Sequence, residues 1–142
     1  MKIIDSDFSN HIMKSVKKDL GDIFFFNHIA VIEFNEGVHV DINNSTEIFD
    51  EINAYFGSEK PFGVIANRIN SYSVKLLDAD LFRGKVKNLC TYAVVSYNLA
   101  GKMNADIENS FCLSDNISYD SIKDAINNVH DKIKNNTCFS LN

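Results

Sequence analysis

The chain has 142 residues, 45% hydrophobic and 23% charged, with fourteen Lys and Arg against nineteen Asp and Glu for a net charge of −5. This is the make-up of one globular domain able to bury a core without metal or disulfide staples. It excludes disorder, collagen-like repeats and a membrane span, because the longest apolar run, Ile29-Ala30-Val31-Ile32, is far short of the ~20 residues a spanning helix needs.

No repeat, low-complexity stretch or linker divides the chain, so residues 1–142 read as a single domain. Residues 1–12 are expected to be a loose or variable opening and 135–142 a polar tail. The opening MKIIDSDFSN carries two early aspartates and no apolar stretch of signal-peptide length, which makes the expected location cytoplasmic. Residues 8–20 fit two descriptions equally. Phe8, Ile12, Val16 and Leu20 recur every four residues as in a helix closed by Gly21, yet the segment runs directly into strand-like sequence.

Ile23-Phe24-Phe25-Phe26 and Ile29 to Phe34 are strand formers separated by Asn27-His28, the pattern of a hairpin with a two-residue turn. A strand must send Phe25 to the face opposite Phe24 and Phe26. A helix follows, with Asn44 or Ser45 as cap and Glu47 three residues after Asn44. Ile48, Phe49, Ile52, Tyr55 and Phe56 form its apolar stripe, Gly57 closes it and Pro61 prevents continuation. Residues 62–66 and 89–95 read as buried strands, and the segment around Leu76 to Phe82 as a helix. Residues 98–109 read as a further helix and Phe111-Cys112-Leu113 as the last strand. The final helix has Ser118 as cap and a stripe of Ile122, Ala125, Ile126, Val129 and Ile133. Strands that alternate with helices pair in parallel. The expected fold class is therefore α/β, a five-stranded mostly parallel sheet with an antiparallel edge hairpin and about four helices.

The segment Phe34-Asn35-Glu36-Gly37-Val38, a capped helix, and then Asn67-Arg68-Ile69-Asn70-Ser71-Tyr72-Ser73 after a buried strand resembles a group of small bacterial proteins. These are described as STAS-like or CRAL-TRIO-like, after the anti-sigma-factor-antagonist domains. The resemblance spans roughly residues 20–134 and is strongest in the NRINSYS stretch. It implies a βα superhelix with successive strands side by side. It also implies a phosphorylatable serine in the loop after the third strand, a place taken here by Ser71 and Ser73. The family's Ser-Ser-Gly is replaced by Ser71-Tyr72-Ser73, and Asn67 stands where the family has an aspartate.

The same loop is the candidate binding site on physical grounds. Ligands meet an open α/β sheet at the carboxyl ends of its parallel strands. A helix starting after Ser73 would add free N–H groups there. The candidate ligand- or partner-binding residues are Asn67, Arg68, Asn70, Ser71, Tyr72 and Ser73, with Asn98 at the same edge after the fourth strand. Arg68 would hold an anion, the serines would orient it or accept phosphate, and Tyr72 would supply contact area. The competing structural reading makes Ser73 a helix cap, packs Tyr72 on the sheet and pairs Arg68 with an acid such as Glu36.

No catalytic constellation is legible. Cys90 and Cys112 lie in apolar strands as packing thiols, and Cys138 lies in the tail. An odd cysteine count without zinc spacing suits a reducing compartment. The four histidines are scattered, so no metal or cofactor is expected. The basic cluster Lys14, Lys17 and Lys18 runs into Asp19 and Asp22, and the acidic balance argues against nucleic acid. The expected function is a non-enzymatic binding or regulatory module that recognises a protein partner or small anionic ligand through the loop after the third strand. The alternative is a carrier of lipid or another hydrophobic small molecule. A homodimer through the edge hairpin is a third expectation, raised by its phenylalanines.

Overall fold

The computed structural model describes residues 1–86, 88–98 and 118–135, and within them the β-branched and aromatic runs become strands. The strands are β1 (Lys14–Lys17), β2 (Gly21–Phe25), β3 (Ile29–Phe34), β4 (His39–Val40), β5 (Phe62–Arg68), β6 (Ser73–Val74), β7 (Leu89–Ser96) and β8 (Ser118–Tyr119). The α-helices among the described residues are α1 (Thr46–Phe56), α2 (Ala79–Lys85) and α3 (Ile122–Lys134). The expected helix at 99–109 and strand at 111–113 lie outside the described residues.

Six strands, rather than five, form the main sheet, in the order β1-β2-β3-β5-β7-β8. β1, β2 and β3 pair antiparallel, and β3, β5, β7 and β8 pair parallel. β4 and β6 make a separate two-stranded parallel ladder. The hairpin is where the residues place it, with Phe26 N–H donating to the Ile29 carbonyl at 2.8 Å across Asn27-His28. It is not the sheet's edge, because β1 covers it. The ambiguous stretch 8–20 is thus a short 3-10 turn (Ser9–His11) followed by an edge strand. Exposed Lys14 and Lys17 lie on that edge, where charge discourages pairing with another chain. Gly21 sits in β2 instead of closing a helix, and a Cβ there would collide with the Glu33 carbonyl.

Strand alternation divides the core into two layers. Ile23, Phe25, Ala30, Ile32, Phe62 and Val64 face α1, with its Ile48, Ile52 and Phe56. Phe24, Ile29, Val31, Ile65, Ala93 and Val95 face α3, with Ile122, Ala125, Ile126, Val129 and Ile133. Phe25 therefore opposes Phe24 and Phe26 as the pleat demands, and both faces are covered. Phe56 stacks flat on Phe62 with ring centroids 4.4 Å apart.

Helix starts differ in detail from the sequence reading. Ser45 precedes α1 but donates its hydroxyl back to the Asp41 carbonyl and caps no N–H. A missing cap costs about 1 kcal/mol, whereas burying each of Ile48, Ile52 and Phe56 contributes about 1.5–3 kcal/mol. Packing, and not capping, holds α1. Gly57 closes it with φ 74°, a backbone conformation that favours glycine. The cap of α3 is Ser121, whose hydroxyl accepts from Asp124 N–H at 3.1 Å, while Ser118 belongs to β8. Among the described residues no helix is long and apolar enough to cross a membrane.

Cys90, in β7, is disulfide-bonded, so it is not the packing thiol expected from its apolar surroundings. Cys112 and Cys138 both lie outside the described residues.

Candidate functional site

At the carboxyl end of the parallel sheet, pleating sends consecutive residues of each strand to opposite faces. The loop predicted at 67–73 begins later than expected, because β5 runs on through Asn67 and Arg68. Those two neighbours therefore point to different sides of the sheet and do not share one site.

Asn67 faces the α3 side and is fully buried. Its Nδ2 donates to Glu33 Oε2 at 2.7 Å and to the Met1 carbonyl at 2.9 Å, and its Oδ1 accepts from the Tyr97 hydroxyl at 2.6 Å. Glu33, at the end of β3, also accepts the Ile3 N–H at 2.8 Å. Burial pushes the Glu33 carboxyl above its ordinary range, against the opposing pull of those two donors and of Lys2. The Tyr97 hydroxyl is pushed up to about 12, first by burial and then by the nearby Glu33 charge. Three adjacent strand ends thus bring a carboxylate, a carboxamide and a phenol together beneath the opening segment of the chain. Sequence reasoning missed Glu33. Its signal was present: it is the only charged residue in the apolar run 29–34.

Arg68 faces the other side and is 5% exposed. Its guanidinium lies 3.9 Å from the centroid of the Tyr72 ring and donates to the Tyr72 carbonyl at 2.8 Å. Tyr72 in turn packs against Phe34, with centroids 4.8 Å apart. The guanidinium expected in solvent at the rim is instead an internal tie that folds the loop back on its own strand. Ser96, the parallel partner of Arg68 across β5 and β7, is buried, and its hydroxyl has no hydrogen-bond partner among the described residues.

The remaining loop residues build an exposed rim. The β4–β6 ladder pairs His39 with Ser73 and Val40 with Val74. The Ser73 N–H donates to the Val38 carbonyl at 3.0 Å and the Lys75 N–H to the Val40 carbonyl at 2.8 Å. Gly37 N–H donates to the Ser71 carbonyl at 2.7 Å, and Ser71 N–H donates to Glu36 Oε2 at 2.7 Å. Asn70 Nδ2 reaches the Phe34 carbonyl at 3.0 Å. Glu36 thus holds the loop's backbone, and the expected pairing of Glu36 with Arg68 is replaced by this contact. His39 Nδ1 and Ser73 Oγ share a hydrogen bond of 2.6 Å in the open. Ser73 caps no helix, because β6 and a 3-10 turn (Leu76–Asp78) come before α2. Asp78 Oδ2 accepts from Ile42 N–H at 2.9 Å and ties that turn to the rim. Asn98 is exposed just past β7. Its expected role as cap of a helix at 99–109 lies outside the described residues.

The fold and this edge define an α/β layer protein with a fastened polar rim and a covered polar cluster beside it. Comparison with protein-family models, with curated proteins and with solved structures gave no match.

Proposed function

We propose that the chain is a non-enzymatic binding module that recognises a partner protein through the rim formed by residues 35–41 and 69–75. The observation that carries this reading is the β4–β6 ladder. Glu36, His39, Ser71, Ser73 and Lys75 are exposed, yet the backbone beneath them is already hydrogen-bonded into one shape. A rim in its final shape loses little conformational freedom on binding, which favours recognition over a flexible loop of equal composition. The side chains offer a carboxylate, an imidazole, hydroxyls and an ammonium within a small area, a mixed set suited to a protein surface. With the Arg68 guanidinium turned inward, the described residues of the rim offer a small anion Lys75 and His39 alone, so the partner protein is the stronger reading.

Two further features belong to the proposal. In the main sheet β2, β3, β5, β7 and β8 stand side by side in chain order, an order that supports the arrangement the STAS-like resemblance implies. Both serines in the switch position are exposed, and Ser71 is the one whose backbone N–H is held by a carboxylate, Glu36, which a phosphate on Ser71 would repel, loosening the loop.

Site-specific photo-crosslinking in living cells tests the reading. A photoreactive residue at Ser71 is expected to give a discrete adduct that His39→Ala or Ser73→Ala weakens, while the same group at Lys123 on α3 gives none. Equal labelling from both positions, or none from Ser71, contradicts it. Titration with inorganic phosphate addresses the anion alternative. Saturable shifts confined to residues 69–75 would favour a small anion over a protein.

A further inference from the structure

The opening residues are held by the Glu33, Asn67 and Tyr97 cluster in the manner of a bound peptide. The hydrogen bonds made by the cluster to this segment go to main-chain atoms: Ile3 N–H donates to Glu33 Oε2 and the Met1 carbonyl accepts from Asn67 Nδ2, while the single Tyr97 hydroxyl proton goes to Asn67 Oδ1. Main-chain recognition leaves selectivity to side chains. One side chain, Ile3, is 0% exposed and enters the apolar layer with Val31, Ile65 and Val95, while Met1, Lys2, Ile4 and Asp5 are exposed. The receptor groups are braced by one another, through Asn67 to Glu33 and Tyr97 to Asn67, so their positions do not depend on the segment they hold. The place is the carboxyl edge of β3, β5 and β7, where open α/β sheets take their ligands. Residues Met1–Ile3 join no strand ladder and are secured by the Ile3 anchor and a few hydrogen bonds, with Phe8 and Ile12 packed partly on the same layer further along, the kind of contact that opens locally.

We propose that Glu33, Asn67 and Tyr97 form a receptor for a short peptide that enters a 3-10 turn at an aliphatic anchor, as Ile3–Asp5 does, and that residues Met1–Ile3 fill it in cis as a displaceable strap. This site is separate from the exposed rim and stands on different contacts.

The test uses the full chain and a fluorescent peptide of residues 1–8 as probe. Ile3→Asp removes the cis anchor and frees the receptor. Its affinity for the probe is expected to rise at least about tenfold over the unaltered chain, because the cis competitor is gone. Adding Asn67→Leu to Ile3→Asp is expected to remove that gain. If Ile3→Asp does not fold, Ile3→Ala replaces it. A folded variant that binds the probe no better than the unaltered chain overturns the proposal. So does failure of both variants to fold, since a displaceable strap is not required for folding. Loss of this site leaves the rim reading standing, because the crosslinking at Ser71 does not involve Ile3.

Discussion

Arg68 shows how one buried side chain redirects a functional reading. A guanidinium 3.9 Å over an aromatic ring and bonded to the carbonyl of the same residue is a structural tie. Arg68→Ala is therefore expected to cost about 2–4 kcal/mol of stability, read as a lower urea midpoint with an unchanged slope. A neutral midpoint would return the group to solvent. Glu33 supplies a pH signature of known sign. Its folded carboxyl titrates above the ordinary value because burial disfavours the charge. Asp22 adds to this, while the Ile3 N–H, Asn67 and Lys2 oppose it. Tyr97 is the other titratable group against it. Below the ordinary range Glu33 is protonated in both states and contributes no penalty. As pH rises through the folded value, the unfolded chain ionises freely and the folded one does so at a cost, so stability falls. Glu33→Gln removes that slope. Denaturation of both chains from about pH 4 to about pH 8 is expected to show the variant gaining on the unaltered chain. A constant difference contradicts the assignment.

At the scale of elements, packing decides more than local signals. Gly63 lies where a Cβ would run into Val129 of α3, so the glycine sets how closely that helix approaches β5. Gly63→Ala is expected to destabilise by about 1–3 kcal/mol through overpacking, measured by thermal melting. Ser121→Ala is expected to cost about 1 kcal/mol through loss of the α3 cap. The stripes of α1 and α3 and the β2–β3 hairpin were legible because their periods of 3.6 and 2 lie within one contiguous segment. The extension of β5 through Asn67 and Arg68 was not. Asn67 is satisfied by Met1, Glu33 and Tyr97, partners that no local window contains, whereas the partner of Arg68, Tyr72, is only four residues on. β1 was hidden for a related reason: Lys14-Ser15-Val16-Lys17 is strand only because β2 offers it a ladder.

For the whole molecule, alternation of strands and helices was enough to read an α/β layer, but not the extra edge strand or the small β4–β6 ladder. That ladder turns a sequence motif into a surface. The redox state of Cys90 bears on where this surface operates. Disulfides persist in oxidising compartments and are rare in the cytosol. A thiol count on cells lysed directly into alkylating reagent is expected to find Cys90 in disulfide, as the structure has it. Finding it free contradicts the disulfide and suits the reducing compartment expected from the cysteine count. In the oxidised protein, reduction is expected to remove about 2–4 kcal/mol of stability. The central claim is that the exposed rim already has its binding shape in the free chain. Amide hydrogen exchange measures it directly. The N–H groups of Gly37, Ser71, Ser73 and Lys75 are predicted to exchange at least about tenfold more slowly than in an unstructured peptide. Exchange of these four at open-chain rates would mean that no shaped rim exists before a partner arrives.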